Sequence, residues 1–166
     1  MIKVKKLSEK YLKEASFLAN SVFRDEDVLP GVPFKASLDQ EKFEEFNKIA
    51  KYEYSSLEYF VAVDETEKVL GTTGLYSRRE DEKDTDWLGW YCVDPKFRGK
   101  GIGSKLLDYT IRKAKERGKK FLRLYTSMSP KEKAAQRVYN SRGFRTFRTE
   151  TNEHSKYETI YKVLVL

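Results

Sequence analysis

The chain is almost without the two residue types that hold most structural metals and disulfides. Its 166 residues include one cysteine, Cys92, and one histidine, His154. A lone thiol cannot form an intramolecular disulfide, and one thiol with one imidazole leaves too few ligands for a zinc site. The sequence therefore predicts a fold that is held by its hydrophobic core, without a metal.

Long hydrophobic runs are also missing. A membrane-spanning helix needs about 20 consecutive apolar residues, and the first ten residues, MIKVKKLSEK, lack the apolar stretch of a secretion signal. We therefore expect a cytosolic protein with no membrane partner. The content of 39% hydrophobic and 36% charged residues is typical of a folded globular chain. The length predicts one domain over residues 1–166.

The charge is unbalanced towards the positive side. A net charge of +7 favours an anionic partner, which could be a nucleic acid, an anionic membrane or a phosphorylated small molecule. The basic residues are spread among 26 acidic ones and form no single tract, which disfavours nucleic acid. Charge alone does not choose between the remaining partners.

Hydrophobic spacing predicts the element order β-α-α-β-β-β-α-β-α-β-β. The stretch 24–34 holds two prolines and a glycine and is predicted to be a loop. Apolar residues recur at helical spacing in four segments, and runs of strand-forming residues separate them. The predicted helices start at Ser8 and cover 39–51, 101–117 and 131–142, and the predicted strands cover 2–7, 58–64, 69–78, 85–93, 121–127 and two segments after 143.

The segment Val93–Ser104 has the features of a phosphate-binding loop. A strand ends near a proline, passes through Gly99, Gly101 and Gly103, and continues into a helix. Such a connection presents free backbone amides and the positive end of the helix dipole to one point, which suits an anion. Arg98 and Lys100 add positive charge. A glycine-rich turn that only joins strand to helix is the alternative interpretation.

Two other nucleotide-binding loops are excluded at one residue. The dinucleotide fingerprint G-x-G-x-x-G and the Walker loop G-x-x-x-x-G-K-[ST], each started at Gly99, both require glycine at position 104. The chain has Ser104 there. Neither loop is therefore present.

The loop and the helix that follows carry two motifs of a known family. The run Arg98–Gly103 matches R/Q-x-x-G-x-G/A, and Ala135, Tyr139 and Gly143-Phe144 fit A-x-x-x-Y-x-x-x-G-F. In these motifs and their placement the sequence resembles the GCN5-related N-acetyltransferase (GNAT) family. The likeness runs from residue 57 to the C-terminus.

The resemblance implies both a fold and a reaction. The expected fold is α/β of the α+β kind, a mixed and mostly antiparallel seven-stranded sheet flanked by about four helices. Strands four and five should splay apart and hold the pantetheine arm of acetyl-CoA (coenzyme A) as cosubstrate. The acetyl group would pass directly to a primary amine of a small molecule or of a protein or peptide. A non-catalytic acyl-CoA-binding regulatory domain is the alternative, and the chain could be a monomer or a homodimer.

The same resemblance assigns the cofactor contacts. Backbone groups on strand four would pair with the pantetheine, and amides of the loop would bind the pyrophosphate. The first set is Tyr91, Cys92 and Val93, and the second is Arg98, Gly99, Lys100, Gly101, Ile102, Gly103 and Ser104.

Tyr139 occupies the family position of the general acid, which protonates the leaving thiolate. From spacing alone, core packing would be favoured for it, because apolar residues surround it at helical intervals. Cys92 is not expected to be a nucleophile, since no histidine is near it in the sequence.

The general base is less defined by sequence. The family's glutamate positions on strands four and five hold Trp87 and Tyr125, so Asp86 is carried as the candidate base. Its acidic run, DEKDTD, could equally be a solvated turn. Glu132 stands where many relatives have an asparagine that contacts the cofactor, which puts that contact in doubt.

The acceptor pocket is expected to be acidic. The α1–α2 region and the loop before strand four contribute carboxylates and one aromatic residue, which would attract a cationic amine. Solvated surface loops are the alternative interpretation. The residues concerned are Asp25, Glu26, Asp27, Phe34 and the run Glu80–Asp86.

Overall fold

The computed structural model describes all residues from 1 to 166. Its strands are β1 (Lys3–Lys6), β2 (Tyr54–Val63), β3 (Val69–Arg78), β4 (Thr85–Leu88), β5 (Cys92–Val93), β6 (Phe121–Ser127), β7 (Arg145–Glu150) and β8 (Thr159–Val165). Its helices are α1 (Glu9–Val22), α2 (Gly31–Ala36), α3 (Gln40–Ile49), α4 (Ile102–Glu116) and α5 (Lys133–Ser141). No helix combines the length and the apolar character that crossing a bilayer requires.

The strands form one mixed sheet in the order β1-β2-β3-β4-β6-β8-β7, with β5 paired to β3. All pairs are antiparallel except β4 with β6, which is parallel. The expected mixed, mostly antiparallel sheet is thereby confirmed. The eighth strand arises because the predicted strand 85–93 is interrupted at Trp90, whose φ of 47° lies in the left-handed region.

The prediction of a loop over 24–34 is wrong in its second half, where α2 forms. Pro30 is the N-cap residue of α2 and Pro33 lies in its first turn. First-turn amides have no partner within a helix, so a proline there removes no hydrogen bond. The molecule therefore has five helices where about four were expected from hydrophobic spacing.

Helices cover the two faces of the sheet at different places. On one face α1 packs its buried Tyr11, Ala15 and Ala19 against the β1–β3 half of the sheet. On the other face α4 and α5 pack on β6, where Leu122 and Leu124 are buried. The β6-β8-β7 end is thus left partly open on the α1 face, and exposed aromatic side chains lie there: Tyr125 is 48% exposed and Phe147 is 44% exposed.

The centre of the sheet splits into a wedge. β4 pairs with β6 at only three positions, of which the last is Trp87 opposite Arg123. Beyond it β5 pairs only with β3, while β6 continues along β8 as far as Ser127. The gap between β5 and the second half of β6 (residues 124–127) is called the wedge below. It corresponds to the expected splay of strands four and five.

Candidate active site

The loop that leaves β5 is built by one side-chain cap and two left-handed glycines. Asp94 accepts a hydrogen bond from the Lys96 amide at 2.9 Å and so starts a short 3-10 turn over Pro95–Phe97. Gly99 and Gly101 then have φ of 77° and 78°, a region that side chains with a Cβ rarely adopt. The chain is thereby turned directly into α4.

Every backbone amide from Arg98 to Ser104 is left without an acceptor in the protein. The first amide of this region that bonds internally is that of Lys105, which donates to the Gly101 carbonyl at 3.0 Å. No side chain caps α4 either, although the helix is 15 residues long. Free amides at the start of such a helix form an anion-binding site.

The space in front of these amides is open. A Cβ placed on Gly99 or Gly101 would meet no atom within 4 Å. Arg98 and Lys100 have exposed side chains beside it, and the Arg98 Nε donates to the Val93 carbonyl at 3.1 Å. A phosphate group could therefore approach the backbone directly, with two cations next to it.

Gly103 is required for a different reason. A Cβ at this position would lie 2.6 Å from the Tyr91 hydroxyl oxygen. The phenol of Tyr91 therefore packs against the first turn of α4, and it fixes the loop relative to the start of β5. Burial raises the pKa of Tyr91 well above its ordinary value, so this group stays protonated.

Tyr139 projects from α5 towards the same region. Its ring lies 5.6 Å from the ring of Tyr91 and 5.9 Å from that of Phe144, measured between centroids. The residue is 6% exposed, and its hydroxyl takes part in no hydrogen bond within the protein. Burial first, and the neighbouring Tyr91, Glu132 and Cys92 next, raise the pKa of Tyr139. The phenol therefore keeps its proton at neutral pH and can donate it.

Cys92 lies on β5, but its thiol is not activated as a nucleophile. Its side chain is buried in the core under α1, and the Thr72 Oγ1 lies 3.3 Å from its sulfur. Burial raises the pKa of Cys92 to about 11. A thiol in this state is a poor nucleophile.

Asp86 lies away from the wedge. It is fully buried opposite Leu122, where β4 and β6 are still paired. The Arg117 Nε lies 3.0 Å from its Oδ2, and the Ser77 hydroxyl donates to its Oδ1 at 2.6 Å. The expectation that Asp86 is the base is thus corrected, because its charge is already neutralised and no amine could reach it.

Two other acidic residues near Asp86 also have internal partners. Asp81 accepts a hydrogen bond from the indole of Trp87 at 3.0 Å, and Glu80 lies 3.7 Å from the buried Arg78. These carboxylates stabilise the turn between β3 and β4. They do not form an acceptor pocket.

The expected acceptor residues between α1 and α2 also have different surroundings. Phe34 is fully buried against the ring of Tyr59 at 4.8 Å, and Asp25 forms an exposed ion pair with Lys131 at 3.8 Å. That pair brings the loop against the turn Pro130–Glu132, which precedes α5. The charge of Glu132 also raises the pKa of Glu26, so this expected acceptor residue lies near the same turn.

Glu132 is a site residue that the sequence did not predict. Its Oε2 accepts hydrogen bonds from the Ser127 amide and from the Thr126 hydroxyl, at the end of β6. Its spacing of seven residues from Tyr139, which puts both on one side of a helix, was the available signal.

No three histidine, cysteine, aspartate or glutamate side chains cluster closely enough to hold a metal ion.

Comparison with known proteins agrees with this geometry. The model of the acetyltransferase (GNAT) family matches residues 21–144, which is most of the chain. The fold is thus that of the GNAT class of acetyltransferases. The chain belongs to the GNAT acetyltransferase family. No curated protein matches the sequence.

Three solved structures illustrate the likeness. An N-acetyltransferase from Staphylococcus aureus Mu50 is 22% identical, with 99% of this chain and 98% of that chain covered and a TM-score of 0.71. The ribosomal-protein-S18-alanine N-acetyltransferase from Escherichia coli is 19% identical, with 99% and 94% covered and a TM-score of 0.67. The NatC complex bound to Gag peptide and CoA contains a chain that is 17% identical, with 99% and 98% covered and a TM-score of 0.73. At these identities the likeness shows the fold alone.

We expect Asp86 to be a stability residue. Asp86→Asn should remove the buried charge that pairs with Arg117 and Lys119 and lower the free energy of unfolding by about 3 kcal/mol. Glu116→Gln, which removes the exposed pair with Lys113, is the control and should cost less than about 1 kcal/mol. Urea denaturation measures both. Equal effects of the two substitutions would contradict this assignment.

Cys92 should resist alkylation in the folded protein. With a pKa of about 11, roughly one thiol in a thousand is ionised at pH 8. Iodoacetamide followed by mass spectrometry should show an unlabelled native chain, and one label should appear in concentrated urea, where the thiol regains its ordinary pKa. Rapid labelling of the folded protein would show that the thiol is accessible and reactive.

Proposed function

We propose that this protein transfers the acetyl group of acetyl-CoA directly to a primary amine. The observation that carries the proposal is the run of unpaired amides from Arg98 to Ser104, which opens beside the wedge. These amides would hold the pyrophosphate of the cofactor. The backbone of Tyr91, Cys92 and Val93 would hold its pantetheine arm, because β5 has no partner strand on its wedge side. The residues present therefore fit the cofactor.

Transfer needs no covalent intermediate on the protein. The bound thioester supplies an activated acetyl carbonyl, and the amine nitrogen forms a bond to its carbon as the bond to sulfur breaks. Tyr139 would protonate the departing thiolate, a role that its proton-bearing phenol supports. Cys92 takes no part, since its thiol stays protonated.

The acceptor is proposed to be a cationic amine. Glu26 and Glu132 place negative charge at the wedge, and neither forms an ion pair with a lysine or arginine, so a carboxylate-bearing acceptor would be repelled. Whether the amine belongs to a small molecule or to a protein or peptide is open in this proposal. The cytosolic location and the monomeric or homodimeric state stay predictions.

A non-catalytic acyl-CoA-binding regulator is the second candidate. The observation that favours it is the neutralised Asp86, together with Trp87 and Tyr125 at the positions where relatives carry glutamate. Such a domain would bind the cofactor and turn over no amine.

A thiol-release assay separates the two candidates. Acetyl-CoA is incubated with the protein and with spermidine, phenethylamine, an alanine-initiated peptide and a lysine-containing peptide, and free CoA thiol is measured. The enzyme should release thiol with at least one amine, and CoA should raise the melting temperature. A thermal shift without thiol release would support the regulator, and the absence of both would overturn cofactor binding itself.

Tyr139→Phe tests the acid. The substitution removes only the hydroxyl, so the thermal shift caused by CoA should be unchanged while kcat falls by about 100-fold. The loss should be largest at high pH, where solvent supplies few protons. Phe144→Leu, in the same core cluster, is the control for altered packing. An unchanged kcat across the pH range would remove Tyr139 from the reaction.

A further inference from the structure

We propose that Glu132 takes the proton from the acceptor ammonium group, and that Glu26 helps to hold this group at the mouth of the wedge. The inference rests on the proposed function, because it assigns the amine end of the same site. It is built on contacts within this chain, and it supplies the base that Asp86 does not provide.

Glu132 is held rigidly at the wedge. It ends the turn Pro130–Glu132, and one carboxylate oxygen accepts from both the amide of Ser127 and the hydroxyl of Thr126. These donors lie at the end of β6, beyond the point where β6 separates from β4. The second oxygen, Oε1, accepts no hydrogen bond from the protein and so is available to a substrate.

The expected acid lies on the same side of the chain. Tyr139 follows Glu132 by seven residues, which is about two helical turns. Its side chain is more than nine-tenths buried, and its hydroxyl has no partner in the protein. The charge of Glu132 contributes to the raised pKa of Tyr139, as expected of neighbouring groups. The proton donor, Tyr139, and the proton acceptor, Glu132, thus both lie at the wedge.

Glu26 lies on the loop between α1 and α2, close to the turn that carries Glu132. The ion pair between Asp25 and Lys131, 3.8 Å long, fastens its loop to the turn that carries Glu132. Glu26 is exposed, but the loss of some water around its carboxylate first, and the charge of Glu132 second, raise the pKa of Glu26. Two nearby carboxylates, neither of which has a lysine or arginine partner, attract an ammonium group.

Few other charges face this pair. Asp25 and Asp27 lie beside Glu26 on the loop. Lys131 lies on the turn Pro130–Glu132 and forms an ion pair with Asp25. β6 contributes the phenol of Tyr125 and α5 that of Tyr139, and both keep their protons. The carboxylates of Glu26 and Glu132 therefore supply the negative charge that can attract an incoming ammonium group.

The step balances as follows. The ammonium group passes one proton to Glu132, and its freed lone pair forms the bond to the acetyl carbon. The carbon–sulfur bond breaks, and Tyr139 protonates the sulfur. The second amine proton returns to Tyr139, and Glu132 releases its proton to solvent. The products are the acetamide, the free thiol and one proton.

The test is the pH dependence of kcat/KM for the wild type and for Glu132→Gln, with the most active amine of the panel. Glutamine keeps an acceptor oxygen for the Ser127 amide, so the fold should survive. The wild type uses the ammonium form, so its kcat/KM should change little around neutral pH. The variant should lose about 100-fold at pH 7. Its kcat/KM should then rise tenfold per pH unit up to the pKa of the amine, because only free amine reacts.

A weakly basic acceptor gives the matching rescue. 2,2,2-Trifluoroethylamine is already unprotonated at neutral pH, so the defect of Glu132→Gln should largely disappear with it. Asp27→Asn is the control, since it removes one carboxylate charge from the loop that carries Glu26 but leaves both proposed groups and the Asp25–Lys131 pair in place. The inference would be overturned if kcat/KM of Glu132→Gln had the same pH dependence as that of the wild type and the same loss for both amines. Glu132 would then only stabilise the end of β6.

Glu26→Gln provides a second test that does not depend on the stability of the turn. It should raise KM for spermidine with little change in kcat, while Asp27→Asn should leave both unchanged. An unchanged KM would remove Glu26 from the proposal. If the wild type releases no thiol with any amine, the proposed function fails. If the wild type is active and these variants match their controls, only the inference fails.

Discussion

The short parallel pairing between β4 and β6 is the constraint on which the rest of the site depends. Three residue pairs hold the two halves of the sheet together, and the last is Trp87 with Arg123. Had the pairing continued, β5 would have been closed by β6 and no gap would remain. Because it stops, one edge of β5 and the end of β6 stay free for a ligand, and α5 can present Tyr139 to the opening.

The structure separates carboxylates that hold the fold from those that can act on a substrate. Asp86 forms an ion pair with Arg117, and Asp81 forms one with Arg123. Glu26 and Glu132 form no ion pair with a lysine or arginine. Residue type and local sequence do not distinguish the carboxylates that stabilise the fold from those available to a substrate. The two kinds are distinguished by whether each carboxylate has a cationic partner.

Sequence reasoning located what is encoded locally and missed what depends on distant pairing. β6 has the bounds that its strand-forming residues predicted, and the glycine loop leads into α4 as expected. α2 was missed because its prolines are tolerated only in a first turn. The role of Asp86 could not be foreseen, since Arg117 lies 31 residues away. Glu132 was noticed only as a departure, because its bonds run back to β6.

Helix α4 couples two places that lie far apart on the molecule. Its first residues follow the open amides, and the residue after its last turn, Arg117, is anchored in the buried pair with Asp86. A helix of 15 residues spans about 22 Å. A rotation of α4 about its anchored end would therefore displace the loop at its other end. The position of the open amides thus depends in part on a buried ion pair at the far end of the helix.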